Sequence, residues 1–220
     1  MAILVEAKEF SISYDNATII KPSWFKIRTG EFVFLTGISG SGKTSIIKAL
    51  YGEIKADGIV TIGEYAINKL PKSKLAHLRR YLGIVFQDFK LIPEWNVLKN
   101  VMLPLLIKGI EKEEAEELAL RELKKVKLLH KADKFPRELS GGEQQRVAIA
   151  RAIVHKPIMI LADEPISGLD DYSASLVMDL FKMANDNGIT VLIASHSMTT
   201  DVSREYKRLH IQQGTIYEMT

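Results

Sequence analysis

Residues 37–44 constrain this chain more than any other stretch. Their sequence is Gly-Ile-Ser-Gly-Ser-Gly-Lys-Thr, and they stand between an apolar run, residues 32–35, and a helix-compatible run, residues 45–50. Glycines let the backbone turn several N–H groups toward one anion, and the helix that follows adds its positive N-terminal end. The pattern predicts a buried strand, a phosphate-binding loop (the P-loop) and a helix in succession.

The P-loop sequence also predicts what its side chains do. Lys43 is placed to reach the β- and γ-phosphates of a nucleotide, and the Thr44 hydroxyl is placed to bind Mg²⁺. The alternative is a glycine-rich turn that binds nothing, which the complete pattern with its flanking strand and helix disfavours. We therefore expect one stretch to bind ATP, consisting of Gly37, Ile38, Ser39, Gly40, Ser41, Gly42, Lys43, Thr44 and Ser45.

Composition excludes some classes of site without choosing a partner. Among the 220 residues, 30 Lys and Arg stand against 27 Asp and Glu, which gives a net charge of +3. That balance argues neither for nucleic acid nor for acidic lipid as a partner. The chain has no cysteine, so disulfides and thiolate metal sites are excluded.

No segment of the sequence predicts a signal peptide or a membrane span. Residues 1–8 lack a basic segment followed by a long apolar one. The longest apolar runs, such as residues 101–107 and 189–194, are far shorter than the ~20 residues that a helix needs to cross a bilayer. If the protein acts at a membrane, we expect another chain to span it.

Two adjacent carboxylates end a strongly apolar segment in the second half of the chain. Residues 158–162 are apolar, and Asp163 and Glu164 follow them directly. An apolar strand that ends in Asp is the expected companion of a P-loop, because the carboxylate holds Mg²⁺. Glu164 beside it is placed to act as the general base that accepts a proton from the attacking water.

Two further polar residues follow apolar runs of the kind that form buried parallel strands. Gln87 follows residues 82–86, and His196 follows residues 190–194, which we expect to be the last core strand. Ligands bind at the carboxyl ends of strands in open α/β sheets, so both residues are candidates for the γ-phosphate region. Each is also explained as an ordinary residue at the end of a strand. Tyr14 has two interpretations as well: a strand aromatic, or a ring that stacks on the nucleotide base.

The order of segments predicts an α/β fold with a helical insert. Residues 111–125 are rich in helix formers and lie within a helical region that spans about residues 88–139. Residues 57–63 resemble half of a small antiparallel sheet, and residues 208–218 form a closing hairpin. We expect one domain over residues 1–220, with a helical subdomain at approximately residues 89–150 inserted in the core.

A second glycine-rich sequence, residues 139–146, predicts another helix N-terminus. Ser140 followed by Glu143 fits a capping box, and the helix should run to His155 and stop before Pro157. A well-capped helix is a sufficient explanation of this sequence. Its glycine-rich N-terminus is also a possible second anion site.

The motifs in this order resemble the ATP-binding cassette (ABC) family of P-loop NTPases over essentially the whole chain. Residues 139–144, Leu-Ser-Gly-Gly-Glu-Gln, match the family signature. The resemblance implies a mostly parallel core sheet with small antiparallel and helical subdomains, and hydrolysis of ATP with Mg²⁺. The implied roles are base stacking for Tyr14, catalysis for Glu164, His196 and Gln87, and metal binding for Thr44, Gln87 and Asp163.

The resemblance also implies a head-to-tail homodimer that forms on ATP binding. In that arrangement the signature of one protomer closes over the ATP of the other. The residues implied to contact ATP in trans are Ser140, Gly141, Gly142, Glu143 and Asp170.

A narrower resemblance is to the FtsE family of bacterial cell-division ATPases, and it is found in residues 31–43, 78–93 and 100–105. This implies an FtsX-like integral membrane partner, a cytoplasmic location on the inner face of the membrane and control of cell-wall hydrolysis. One alternative is the nucleotide-binding subunit of a lipoprotein-release or efflux transporter. A soluble cassette acting on nucleic acid or the ribosome is less favoured, because the chain has one cassette and no heptads, so we expect no direct contact with nucleic acid. A nucleotide-dependent scaffold with negligible turnover is a fourth hypothesis, against which Glu164 argues.

Overall fold

The computed structural model describes residues 1–15, 17–196 and 206–219, which form two β-sheets and a set of surrounding helices. The ten strands of these ranges are β1 Ile3–Tyr14, β2 Ala17–Arg28, β3 Phe32–Gly37, β4 Asp57–Ile62, β5 Tyr65–Ala66, β6 Leu82–Val85, β7 Met159–Asp163, β8 Thr190–Ser195, β9 Lys207–Gln212 and β10 Thr215–Met219. The six α-helices are α1 Lys43–Leu50, α2 Lys72–Arg79, α3 Val97–Ile107, α4 Lys112–Lys125, α5 Gly141–Ile153 and α6 Asp171–Asp186.

The central sheet has six strands in the order β10-β9-β3-β8-β7-β6. The neighbours from β9 through β6 pair in parallel, and β10 pairs antiparallel with β9. Strands β3, β7 and β8 are buried along their whole length, which explains their continuous apolar sequences. Because parallel strands share one direction, β3, β6, β7 and β8 all end at the same edge of the sheet.

The expectation that residues 190–194 form the last core strand is wrong. The closing hairpin is present as β9 and β10, but β9 pairs in parallel with β3 and so extends the central sheet. The side chains of Leu209 and Ile211 are buried, while their neighbours in β9 are partly exposed. This half-buried alternation is typical of a solvent-facing hairpin, which is why the sequence did not indicate a core strand.

A second sheet has the order β2-β1-β4-β5 and is antiparallel throughout. Its inner face and helix α1 form a buried cluster with one face of the central sheet, which includes Phe10, Phe25, Ile46 and Leu161. Helices α3–α6 form another cluster against the opposite face, to which Phe34 and Ile160 contribute. Alternate residues of the same central strands therefore anchor two cores, one on each side of the sheet.

The helical region between β6 and β7 consists of α3, α4, short 3₁₀ turns and α5. Helix α3 continues through Pro104, a residue at which sequence reasoning would end a helix. Its N-terminus is fixed by Asn96, whose side chain accepts a hydrogen bond from the Lys99 N–H at 2.9 Å. Helix α5 ends at Ile153, two residues before the predicted end.

Across residues 1–15, 17–196 and 206–219, none of the helices combines the length and the apolar character that crossing a bilayer requires.

Candidate nucleotide site

Four strand ends of the central sheet bring the predicted catalytic and phosphate-binding residues together. The P-loop follows β3, Gln87 lies just beyond β6, Asp163 ends β7, and His196 follows β8 directly. Asp163 pairs with Ala194 across the β7–β8 ladder, so their strand ends lie at the same level. The topology thus places these side chains along the carboxyl edge of the sheet, as the sequence predicts.

The P-loop turns between β3 and α1 through backbone conformations that suit glycine. Gly40 and Gly42 have φ angles of 77° and 101°, in the left-handed region. The Lys43 side chain is buried and folds back over the loop, donating hydrogen bonds to the carbonyls of Gly37 at 3.0 Å and Ile38 at 3.2 Å. The loop therefore holds one buried cation at the start of α1.

Thr44 and Asp163 form the part of the site that suits a divalent cation. The Thr44 hydroxyl donates a hydrogen bond to Asp163 Oδ1 at 3.1 Å. Burial raises the pKa of the Asp163 carboxyl, and the nearby Glu164 charge adds to that effect, while the bond from Thr44 opposes it. A carboxylate destabilised by burial gains from a cation beside it, and these oxygen donors are the type that Mg²⁺ prefers.

Nowhere in the part of the chain that the structure describes do three or more His, Cys, Asp or Glu side chains form a metal-binding cluster.

Glu164 is held in an unusual backbone conformation beside the buried cation. Its φ angle is 45°, and its N–H donates to the Ala194 carbonyl at 2.9 Å. Its Oε1 atom lies 3.5 Å from Lys43 Nζ and 2.6 Å from His196 Nδ1. A non-glycine residue in the left-handed region carries strain, and such strain concentrates at functional sites. The geometry brings Glu164, Lys43 and His196 into one contact group.

A cleft of about 350 Å³ joins these groups to the antiparallel sheet. Its lining residues are Tyr14, Ile19, Ser39, Gly40, Gly42, Lys43, Thr44, Ser45, Gln87, Glu164 and His196. Tyr14 is 43% exposed, and its hydroxyl donates a hydrogen bond to Ser45 Oγ at 3.3 Å. The Tyr14 ring therefore faces the start of α1, at the open side of the P-loop.

Sequence reasoning missed Ile19 as a wall of this cleft. Ile19 lies on β2, opposite the end of β1 that carries Tyr14, and its Cγ2 atom is 3.0 Å from where a Cβ at Gly42 would stand. A side chain at position 42 would collide with this wall. No motif marks Ile19, and only the pairing of β1 with β2 brings it to the loop.

Eight of the predicted ATP-binding residues do not line this cleft. Three of them, Gly37, Ile38 and Ser41, belong to the P-loop itself, and the other five are the residues implied to act in trans: Ser140, Gly141, Gly142, Glu143 and Asp170. The capping box is present: Ser140 Oγ accepts from the Glu143 N–H at 3.3 Å, and Glu143 Oε2 accepts from the Ser140 N–H at 3.0 Å. The other carboxylate oxygen of Glu143 pairs with Lys131. In this structure Glu143 completes the start of its own helix.

Asp170 likewise begins a helix outside the cleft. Its carboxylate accepts a hydrogen bond from the Ser173 N–H at 2.9 Å, and this bond lowers the pKa of Asp170 below its ordinary value. Ser173 also packs against Gly142, where an added Cβ would lie 2.6 Å from Ser173 Oγ. The N-termini of α5 and α6 are therefore in contact, and they form a surface separate from the P-loop cleft.

Comparison with known proteins identifies the family. Residues 20–167 match the family model described as ABC transporter. Similar proteins include the cell division ATP-binding protein FtsE of Escherichia coli strain K12, 40% identical over 88% of this chain and 87% of that protein. FtsE of Streptococcus pneumoniae strain D39 is 35% identical over 97% of this chain and 94% of that protein.

A solved structure of similar fold is the ATP-binding cassette MJ0796, captured as a dimer in a post-hydrolysis state bound to ADP and Pi. It is 36% identical to this chain, with a TM-score of 0.88 over 98% of this chain and 97% of that one. A second dimeric structure of MJ0796 has the same TM-score at 35% identity. The chain therefore belongs to the ABC transporter family and is an ATP-binding cassette ATPase.

Proposed function

We propose that this chain is the ATP-hydrolysing subunit of an FtsE-type membrane complex. The observation that carries the catalytic part is the contact group at the carboxyl edge of the sheet, in which Glu164 Oε1 lies 3.5 Å from Lys43 Nζ and 2.6 Å from His196 Nδ1. A carboxylate beside a phosphate-binding lysine and an imidazole can accept a proton from water. A site that only binds the nucleotide does not need such a group, so the arrangement favours hydrolysis.

The P-loop cleft has the groups that hold a nucleoside triphosphate. The N–H groups at the start of α1 and the Lys43 ammonium bind the β- and γ-phosphates, and the Tyr14 ring stacks on the base. Thr44, Asp163 and Gln87 would hold Mg²⁺, and the chemistry that this ion would supply there is neutralisation of phosphate charge.

Glu164 has the position of the general base. Its carboxylate accepts a proton from the water that attacks the γ-phosphorus, and Gln87 orients that water. His196 holds Glu164 through the contact between its Nδ1 atom and Glu164 Oε1. The strained backbone at Glu164 and its bond to Ala194 keep the carboxylate at the phosphate end of the cleft.

Hydrolysis requires two copies of the chain in this proposal. Ser140, Gly141, Gly142, Glu143 and Asp170 lie outside the cleft of their own protomer. A head-to-tail homodimer, formed on ATP binding, supplies them to the ATP of the other protomer. Residues 1–220 act as one domain, in which the helical subdomain at approximately residues 89–150 carries the start of the signature helix.

The membrane partner in this proposal is an FtsX-like integral membrane protein. The similarity to FtsE over most of the chain supports it. The cassette then works on the cytoplasmic face of the membrane and transmits ATP turnover to the control of cell-wall hydrolysis during division, without direct contact with nucleic acid.

The substitution Glu164→Gln tests the catalytic part of the proposal. It preserves the size of the side chain and removes the base, so we expect ATP hydrolysis to fall ~100-fold or more while ATP binding is retained. The matched control is Glu53→Gln, at an exposed carboxylate just beyond α1 that pairs with Lys48. Turnover that persists in the Glu164→Gln protein would contradict the assigned base.

The Glu164→Gln protein also provides a probe for the partner, because it should accumulate as an ATP-bound dimer. Affinity capture with this variant from solubilised membranes should recover a four-span protein with a large extracytoplasmic loop. Recovery of a lipoprotein-release or efflux permease would contradict the cell-division role and leave the ATPase assignment standing.

A further inference from the structure

The turn that carries Gln87 is fixed at both of its ends. Residues 86–89 follow β6, and the Phe89 N–H donates a hydrogen bond to the Phe86 carbonyl at 3.2 Å. Gln87 and Asp88 are the two central residues of this turn, and Gln87 lines the P-loop cleft. The first end of the turn continues directly from β6 in the central sheet. The second end of the turn has no regular secondary structure, so another contact must determine its position.

The second end has a strained backbone. Phe89 and Lys90 have φ angles of 60° and 48°, so two consecutive non-glycine residues are left-handed. This conformation costs free energy and persists only where surrounding contacts impose it. Successive residues of helical backbone point their carbonyl groups in similar directions, and here both carbonyls meet the same side chain.

That side chain is Arg151, which lies near the C-terminal end of α5. Its two terminal nitrogens donate hydrogen bonds to the carbonyl oxygens of Phe89 and Lys90, each at 2.6 Å. The planar guanidinium suits two parallel acceptors, which a lysine ammonium would not engage in the same way. The contact joins residues about 60 positions apart in the chain.

Arg151 is buried, with 8% of its surface exposed. Burial lowers its pKa to about 10, so the guanidinium remains cationic at neutral pH. Among the residues that the structure describes, Arg151 makes no ion pair with a carboxylate, and its hydrogen bonds go to the two backbone carbonyls. The buried guanidinium needs hydrogen-bond acceptors, and the carbonyls of Phe89 and Lys90 provide them. In return, the guanidinium stabilises the strained backbone of these two residues.

We propose that Arg151 is a positioning residue, which holds the turn of residues 86–89 so that Gln87 points into the cleft. This inference rests on the proposed function, in which Gln87 contributes to the Mg²⁺ site and orients the attacking water. Helix α5 carries the signature glycines at its start and Arg151 ten residues after Gly141, a distance of ~15 Å along a rigid helix.

The first test is the substitution Arg151→Met, which keeps a long side chain and removes both hydrogen bonds. We expect kcat to fall about tenfold or more, because small displacements of a positioning group have large effects on rate. The Mg²⁺ concentration needed for half-maximal hydrolysis should rise, while ATP binding without Mg²⁺ stays unchanged, because Lys43 and Tyr14 are untouched.

The matched control is Lys108→Met. Lys108 is another cation of the helical region that donates to a backbone carbonyl, but that carbonyl belongs to His155, at 2.9 Å, and not to the turn that carries Gln87. This control should retain normal kcat. An Arg151→Met protein with normal kcat and normal Mg²⁺ dependence would overturn the proposal.

A double-mutant cycle separates positioning from general stabilisation. If Arg151 acts through Gln87, then Arg151→Met should have little further effect on kcat once Gln87→Ala is present. If the two losses multiply, Arg151 affects catalysis by another path, and the proposal is wrong.

A second pair of variants tests the same contact from the side of the turn, without changing the core. Lys90→Gly keeps the left-handed φ accessible, while Lys90→Pro forbids it and also disfavours it at Phe89. Both remove the exposed ion pair with Asp88. Only Lys90→Pro should reproduce the predicted loss of kcat, even if Arg151→Met fails to fold. Equal activity of the two Lys90 variants would overturn the proposal, whereas hydrolysis by the Glu164→Gln protein would instead contradict the proposed function.

Discussion

Two helices in this molecule begin at glycine-rich sequences, and their first turns are completed in different ways. Helix α1 begins after Gly42, which has left-handed φ, and it has neither a side-chain cap nor an acidic residue in its first turn. Helix α5 begins after Ser140, with a full capping box and Glu143 in its first turn. Two glycine-rich sequences therefore begin helices whose first turns differ in their caps and in their charged residues.

The difference concerns how each N-terminus can interact with an anion. At α1 the positive end of the helix is reinforced by the buried Lys43 ammonium. At α5 the first turn contains the Glu143 carboxylate, which pairs with Lys131, and the cap already uses the Glu143 N–H. We expect α1 to bind a triphosphate by itself. We expect α5 to add only to a nucleotide that another protomer already holds.

The largest effect should come from removing the charge at α1. Lys43→Ala should weaken ATP binding about 100-fold, roughly 3 kcal/mol, because the loop loses its buried cation. Lys48→Ala is the matched control, since Lys48 lies on the same helix with a partly exposed side chain paired with Glu53. Isothermal titration with ATP measures both. Near-normal ATP affinity of the Lys43→Ala protein would contradict the claim that the N-terminus of α1 binds a triphosphate through its buried cation, in contrast to α5.

A negative charge at the start of α5 should have a smaller effect on ATP binding but should clearly lower ATP turnover. Gly141→Asp should preserve ATP affinity and lower hydrolysis about tenfold or more, because its carboxylate would repel the γ-phosphate of the other protomer. An added Cβ at Gly141 makes ordinary contacts of 3.8 Å and 4.0 Å, and Asp suits a helix N-terminus, so folding should be retained.

Gly141→Ala provides the control for that experiment, because it adds the same Cβ without the charge. We expect the Gly141→Ala protein to lose less activity than the Gly141→Asp protein in the same steady-state assay. Full hydrolysis by Gly141→Asp would show that α5 contributes nothing to the ATP site.

The base-binding side of the α1 cleft should contribute a moderate amount. Tyr14→Ala should weaken ATP binding by about 1 to 2 kcal/mol if the ring stacks on the base. Tyr14→Phe keeps the ring and removes the hydrogen bond to Ser45, so its affinity should remain near normal. Unchanged affinity in the Tyr14→Ala protein would restrict Tyr14 to its role in β1.

The smallest expected effect concerns stability. Ser140→Ala removes the cap of α5 and should lower the free energy of unfolding by about 1 kcal/mol. Ser175→Ala, at an exposed position inside α6, should cost nothing and serves as the control. Urea unfolding measures both. If the two variants unfold alike, the capping box does not distinguish α5 from α1.

Much of the site arrangement follows from local pattern. The apolar runs before Gln87, Asp163 and His196 predict parallel strands, and parallel strands necessarily end at one edge of the sheet. The structure shows that shared edge. The capping box at Ser140 is also local, because its two hydrogen bonds join residues three apart.

Other features depend on contacts that no local pattern encodes. Strand β9 joins the core through its pairing with β3, about 170 residues earlier in the chain. Helix α3 passes through Pro104 because packing against α4 and α5 outweighs the lost backbone donor. The left-handed backbone of Glu164, a position where glycine would be less strained, is imposed by the contacts of the folded site.

The most direct test of this account is a mixing experiment with two proteins that are each impaired in hydrolysis. One carries Lys43→Ala and keeps an intact signature, and the other carries Gly141→Asp and keeps an intact P-loop. If each ATP site takes its P-loop from one protomer and its signature from the other, mixing them should restore hydrolysis through the one intact composite site. A mixture whose rate of hydrolysis does not exceed that of its more active component would contradict the account.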